Sequence, residues 1–437
     1  MCSFIGTNKK IDDLEKINRF TKNRGPDGTT TTTHGGINLV HNLLSITGDF
    51  KTQPLVSDDG SIVCVYNGEI YNYKSFGSYG NDGECLIPLY DTMGEKFASL
   101  LDGEFAIVII DFAKDKIIFI TDAFATKPLW CASNGKEFAF ASYESAVKSC
   151  GYLNPIKIPA NSVVCLKLST LEKVKQDNVV KFDTNQHKNH YDDWVNAFLN
   201  AVKKRSANTR EKVFIGLSGG YDSGAIACAS ENMSLPYRAY TIPGAENVQV
   251  IKQRQQLVSD MHVLDITPEQ FSFEREFLKK ECEDFYFQGK PAARTDKASA
   301  GLSFICRHAR DADYKIYLSG QGADEIISDY GWGGRKFYGH SQFGGKFPSD
   351  LSAVFPWKSF YEGTQKKYLG KEECVAGSHG IETRYPFLDV RLVQEFLWLK
   401  HTLKNDRYKA PLDFFLKKFQ FPYTINEKVG FRPNYNF

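Results

Sequence analysis

Short runs of β-branched and aromatic residues recur through the first part of the chain, at Asn38–Leu44, Ser61–Tyr66, Glu104–Phe112, Lys116–Ala123, Phe138–Ser142 and Ser162–Leu168. Each predicts a strand. Between them, apolar residues of Glu84–Leu101 repeat at three and four positions, which predicts a helix. The first part therefore reads as mixed α+β with mostly antiparallel pairing. Ser169–His190 is polar and without sustained period, and predicts a linker at 171–190 between a domain at 1–170 and another at 191–437. Beyond it the rhythm changes. Strand-like Val213–Leu217, Arg238–Ile242, Val263–Ile266 and Lys315–Leu318 alternate with helical patterns at Gly224–Asn232, Asn247–Asp260 and Lys297–Arg310. That alternation predicts an α/β domain with a parallel sheet and crossover helices, whose ligands bind at the carboxyl ends of the strands. Thr29–Thr33 is the only low-complexity tract and reads as an exposed loop or strand.

A length of 437 residues with 42% hydrophobic content supports two cores. The 54 basic and 52 acidic residues are interspersed, for a net charge of +2, so the electrostatic footprint of a nucleic-acid or anionic-membrane binder is missing. No apolar window of about 18 residues and no amino-terminal export pattern is present, and a soluble, cytoplasmic protein is expected. Ten cysteines lack any C-x-x-C spacing, which argues against zinc and a disulfide framework. The nine histidines show no ligand spacing either.

Chemistry concentrates in two glycine-rich loops. Leu217 ends a strand-like run and is followed by Ser218-Gly219-Gly220-Tyr221-Asp222-Ser223 and a helix of small residues. Glycines allow a sharp turn that exposes successive N–H groups, the serines add hydroxyls, and the helix offers its positive end to an anion. A phosphate cradle results, without the Gly-Lys-Ser/Thr ending of a Walker loop. The spacing also admits a plain strand-to-helix turn. The second loop, Ser319-Gly320-Gln321-Gly322-Ala323-Asp324-Glu325, follows Lys315–Leu318. Asp222 and Asp324 then stand at strand ends as oxygen ligands for Mg2+, or serve as cap and turn residues, where aspartate is common.

The amino terminus carries a different chemistry. Loss of Met1 leaves Cys2 first, where the free α-amine is a built-in base for the thiol. Its companions are Arg24-Gly25-Pro26-Asp27-Gly28, Asn67-Gly68-Glu69-Ile70-Tyr71-Asn72 and Asp82-Gly83-Glu84. With the two loops and Glu382-Thr383-Arg384-Tyr385-Pro386-Phe387-Leu388-Asp389, they run in order along nearly the whole chain, which resembles the asparagine synthetase family: a class II glutamine amidotransferase domain followed by an ATP-pyrophosphatase synthetase domain.

That resemblance implies an αββα N-terminal-nucleophile hydrolase sandwich, then an adenine-nucleotide α-hydrolase-like parallel-sheet domain. It implies that Cys2 attacks the glutamine amide, that Asn67 and Gly68 form an oxyanion hole, and that Asp82 holds the glutamine ammonium, with Glu69 in reach. Leu217, Ser218, Gly219, Gly220, Asp222, Ser223, Ser319, Gly320, Gln321 and Gly322 would surround ATP. Asp222 and Asp324 would hold Mg2+. Lys428, in Glu427–Phe431, matches an essential family lysine, though it also reads as a surface lysine. Gln321, Glu382 and Arg384 are acceptor-side candidates, and Asp122 with Lys127-Pro128-Leu129 is scaffolding. The implied partners are glutamine, ATP and aspartate or another carboxylate, with a homodimer left open.

Three departures qualify the implied activity. The family arginine that grips the glutamine carboxylate in H-x-R-L-S is Leu43 here, with Arg24 as one replacement. The glutamate of S-G-E-G is the neutral Gln321, which cannot take a proton as a carboxylate does. The sequence ends nine residues after Lys428, where the family usually continues, so a more open acceptor pocket is expected. Aspartate amidation is the leading expectation. A ligase for a sugar acid or another carboxylate, and a regulatory protein without turnover, are the alternatives. Tyr330–Phe347 reads as a lid with Arg335 and Lys336 facing anions, or as an ordinary surface loop.

Overall fold

The computed structural model describes residues 2–207, 209–244, 246–287, 290–292 and 296–425. They form two compact units, the first comprising Met1–Lys181, Glu281–Glu283 and Gly377–Glu382, the second the remainder.

The first unit contains two six-stranded sheets. One runs in the order Ile156–Lys157, Trp130–Ser133, Phe138–Ala141, Ser3–Thr7, Ile37–Leu43, Gly28–His34, and every pair is antiparallel. The other runs Lys173–Asp177, Ser162–Lys167, Lys116–Thr121, Gly103–Asp111, Ile62–Ile70, Leu55–Val56, again antiparallel throughout. Successive side chains of a strand point to opposite faces, and both faces here are covered. Val63 and Val65 meet Phe4, Leu39 and Phe140 between the sheets. Ile62, Cys64 and Tyr66 pack outward with Leu86, Tyr90 and Phe97. On the far side, Ile5 and Val40 pack with Ile17, Ala146 and Val147. Helix, sheet, sheet and helix thus form four layers. Double burial explains why the inner strands read as unbroken apolar runs. Asp122 acts as scaffolding: its carboxylate accepts from the N–H groups of Phe105, Phe124 and Thr126.

Two expectations are corrected. Glu84–Leu101 is not one helix: the α-helix is Leu86–Met93, ended by Gly94 at φ 58°, and the 3-10 segment Gly94–Leu100 follows. Glycine takes that left-handed conformation without penalty and stops the helix. The polar stretch at 171–190 is not wholly a linker, because Lys173–Asp177 pairs with Ser162–Lys167 as an edge strand with all five residues exposed. An edge strand with no core face has no apolar alternation to detect, and lysines suit its position.

The second unit is built on a five-stranded sheet in the order Met261–Val263, Arg238–Thr241, Lys212–Gly216, Tyr314–Leu318, Glu382–Arg384, of which Glu382 alone groups with the first unit. The pairings among the first four are parallel. The helices Tyr221–Asn232, Val248–Leu257 and Lys297–Asp311 connect them. From Lys212–Gly216 the chain builds outward on one side, then returns to add Tyr314–Leu318 on the other. Strand order therefore reverses between those two strands, the place where open α/β sheets bind ligands, and both glycine-rich loops leave from it. Within Tyr330–Phe347, Gly331–Trp332 pairs with Arg335–Lys336 in a hairpin turned by Gly333 and Gly334. No helix among the described residues is long and apolar enough to cross a membrane.

Candidate functional site

In the first unit, Cys2 enters directly into the Ser3–Thr7 strand, half-buried, its thiol directed at the Leu44 carbonyl oxygen at 3.8 Å. Burial pushes the thiol up to about 11, against the pull of the nearby amino terminus and the Leu44 contact; the Glu382 and Asp82 carboxylates push it further. Arg24 is fully buried, and donates through Nε to the Cys2 carbonyl at 3.2 Å and through Nη1 to the Tyr143 hydroxyl at 2.7 Å. It braces the nucleophile's own peptide through these contacts. The register Ser3↔Asn42 brings Leu43 alongside Cys2.

Asn67 and Gly68 lie in the Ile62–Ile70 strand. Gly68 has φ 141°, and a Cβ there would fall 1.9 Å from the Glu104 carbonyl oxygen, so only glycine lets the strands close. The Asn67 side chain is wholly buried, and neither its Nδ2 nor its Oδ1 has a hydrogen-bond partner among the described residues. Such a group is costly unless a ligand completes it. Asp82 holds this strand end in place, accepting from the Tyr66 hydroxyl at 2.8 Å and the Ile70 N–H at 2.9 Å. Glu69 accepts from the Thr47 hydroxyl at 2.6 Å.

In the second unit, Leu217 donates to the Tyr240 carbonyl at 2.7 Å and ends the strand. The Ser218 N–H donates to Ser223 Oγ at 3.0 Å, and the Gly220 N–H to Ser218 Oγ at 3.2 Å, so hydroxyls hold the loop from inside. The second loop lies against the first: a Cβ on Gly320 would meet Asp222 Cβ at 2.9 Å. At that contact stands a residue the sequence did not single out. The buried Lys409 ammonium lies 2.5 Å from Asp222 Oδ1 and 2.7 Å from Asp324 Oδ1. Burial acts to lower its pKa, but the two aspartates outweigh burial and hold it well above the usual lysine range. Two carboxylates that share one cation suit Mg2+, whose remaining positions go to phosphate and water. No group of three or more candidate metal ligands occurs among the described residues.

Residues 1–181 match the glutamine amidotransferase domain family and residues 194–372 the asparagine synthase family. The chain belongs to the asparagine synthetase family. It is 27% identical over 395 residues to a Methanocaldococcus jannaschii relative, covering 82% of this chain and 69% of that one. It is 26% identical to the glutamine-hydrolysing asparagine synthetase of Asparagus officinalis (89% and 66% covered) and 26% to asparagine synthetase 2 of Arabidopsis thaliana (91% and 70%). The chain thus spans about two thirds of the length of these relatives.

Within this asparagine synthetase family member, other expected residues fall in mixed places. Gln321 donates its N–H to Ser319 Oγ at 3.0 Å, within the second loop. Arg384 is fully buried and donates to the Arg205 carbonyl at 2.8 Å. Glu382, also expected on the acceptor side, groups with the first unit, near enough to Cys2 to raise its thiol. Lys428 lies outside the described residues. Two carboxyls at the second loop, the buried Glu325 within it and the half-buried Glu372 beside it, had no role assigned from the sequence. Burial raises Glu325 and Glu372 each to about 7; the Asp324 charge adds to the first, while Ser319, donating at 2.6 Å, and Lys371 oppose the second.

His41, opposite Phe4 between the sheets, was also missed. It is buried with neither ring nitrogen partnered, and burial, aided by the amino terminus, lowers it to about 3. The folded state therefore refuses a proton that the unfolded chain accepts below about 6.5, and stability is lost as pH falls from that value toward 3. The expected slope is about 1.4 kcal/mol per pH unit in that window. Urea unfolding at a series of pH values should show the acid-side loss shrinking in His41→Leu; identical pH profiles would refute the assignment.

Proposed function

We propose that the chain is a glutamine-dependent amide-forming ligase that activates a carboxylate with ATP. The observation that carries this reading is the convergence of Asp222 and Asp324 on one cation at the two glycine-rich strand ends. The first unit would be an N-terminal-nucleophile glutaminase and the second a pyrophosphatase-loop synthetase. After loss of Met1, the Cys2 α-amine takes the thiol proton as sulfur attacks the glutamine side-chain carbonyl, and returns it to the departing ammonia. Asn67 Nδ2 and the Gly68 N–H stabilise the oxyanion, and water then releases glutamate from the thioester. In the second unit, loop N–H groups of Ser218–Ser223 and the amino end of helix Tyr221–Asn232 hold the phosphates. Asp222 and Asp324 would hold Mg2+, which when bound neutralises phosphate charge. A substrate carboxylate oxygen attacks the α-phosphorus and pyrophosphate leaves. Ammonia attacks the acyl carbon of the adenylate, loses a proton, and AMP departs.

Aspartate is the leading acceptor. Gln321, neutral where the family carries glutamate, favours a second reading in which another carboxylate is amidated. Leu43 beside Cys2 means that glutamine's carboxylate is gripped by a group other than the family arginine.

Incubation with ATP, magnesium, aspartate and either amide-labelled glutamine or ammonium, followed by mass spectrometry, tests this reading. Labelled asparagine and AMP are expected, with the glutamine-dependent product abolished by Cys2→Ala and the ammonium-dependent product retained. Asparagine from neither donor, with AMP formed on another carboxylate, selects the second reading. No AMP with any carboxylate overturns both.

A further inference from the structure

The first glycine-rich loop already carries an anion of this chain. Glu246 Oε2 accepts from the Gly219 N–H at 2.7 Å. A Cβ built on Gly219 would sit 3.1 Å from that oxygen, so the carboxylate lies directly against the loop. The amide it occupies belongs to the cradle that precedes helix Tyr221–Asn232, where N–H groups and the helix end favour negative charge. A carboxylate bound there makes the charge-assisted contact that a phosphate oxygen makes.

The loop is also held by other bonds, although the Glu246 carboxylate acts on the Arg254 guanidinium that makes most of them. Arg254, buried beneath it, donates to the carbonyls of Ser218 and Gly220, the latter at 2.9 Å, and through Nε to the Pro422 carbonyl at 2.8 Å. The Thr424 N–H donates to the Gly219 carbonyl at 3.0 Å. These bonds take up carbonyls, and with the Ser218 and Gly220 N–H groups turned onto loop hydroxyls it is the Gly219 N–H that meets the anion. Nor is Glu246 needed for the helix that follows, because Asn247 caps Val248–Leu257 by accepting from the N–H groups of Gln249 and Val250. Glu246 can therefore leave the loop without unwinding that helix.

We propose that Glu246 is an internal surrogate for phosphate, holding the Gly219 N–H until the pyrophosphate portion of ATP displaces it. The inference rests on the ATP reading above. Two anions cannot share one amide donor without mutual repulsion, so binding of the triphosphate expels the carboxylate from the loop. Glu246 thus keeps the cradle formed and weakens phosphate binding. A residue with that role sets nucleotide affinity without touching the reacting carboxylate.

Calorimetric titration of the full chain with magnesium pyrophosphate and with magnesium ATP tests the proposal. Glu246→Ala is expected to tighten both by on the order of tenfold, since it removes a charge-assisted competitor. Glu246→Gln, which keeps an amide oxygen for the Gly219 N–H but no charge, should fall between Ala and wild type. Hydrogen exchange across residues 243–250 should rise when pyrophosphate binds to wild type. Wild-type binding with equal or weaker binding in both variants overturns the surrogate role and leaves the ATP reading standing. Failure of wild type and variants alike to bind either probe overturns the ATP reading and this inference with it.

Discussion

Lys409→Met is expected to lower the unfolding free energy by about 3–5 kcal/mol in a chelating buffer, the loss typical when one partner of a buried ionic cluster is removed. Lys409 is buried between Asp222 and Asp324, at 2.5 and 2.7 Å. Methionine keeps most of the side-chain volume, so the cavity contribution is small and the effect is chiefly two adjacent carboxylates left without their cation. The Tyr408 hydroxyl, which donates to Asp324 Oδ1 at 3.2 Å, can relieve only part of that repulsion. If the same aspartates bind magnesium, millimolar magnesium should restore more stability to the variant than to wild type. Urea unfolding with chelator and with magnesium reads both effects. A variant within about 1 kcal/mol of wild type in both buffers would show that the ammonium does not neutralise the pair.

Lys409 also shows where a sequence stops being informative. Position 409 lies 187 residues from Asp222, in Tyr-Lys-Ala-Pro, and carries no spacing that separates it from a surface lysine. By contrast, the loops were legible because glycine and serine after an apolar strand have few other uses, and the inner strands because burial on both faces leaves an apolar run. Lys173–Asp177 was illegible for the opposite reason: an exposed edge strand has no core face to pattern. Gly94 stood in the sequence, but a glycine inside a periodic segment does not announce the left-handed backbone that ends the helix there. Arg24 was legible as a motif residue, but its contact with the Cys2 carbonyl was not. A charge in a motif specifies chemistry, and only packing shows that its Nε meets the carbonyl of Cys2. Glu246 is the same lesson in reverse, since an acidic residue ahead of a helix reads as a capping neighbour until the Gly219 contact is seen.

Asn67→Leu should separate stability from chemistry in the first unit. Both polar atoms of the Asn67 amide are buried without a partner among the described residues, which in a folded protein is a standing cost. Leucine has a similar shape and nothing to leave unsatisfied, so the variant is expected to be as stable as wild type or more stable, by about 1–3 kcal/mol. If the amide instead serves an oxyanion, the same change should lower kcat for glutamine hydrolysis by about 100- to 1000-fold, the usual effect of deleting one such donor. Ammonium-dependent AMP formation, which draws on the second unit, should persist in the variant. A glutaminase reaction within a fewfold of wild type would remove Asn67 from the oxyanion site. A large loss of stability would instead show that its amide is satisfied in the fold. The expected pair of results, a more stable protein that no longer hydrolyses glutamine, follows only if the unpaired amide is kept for the transition state.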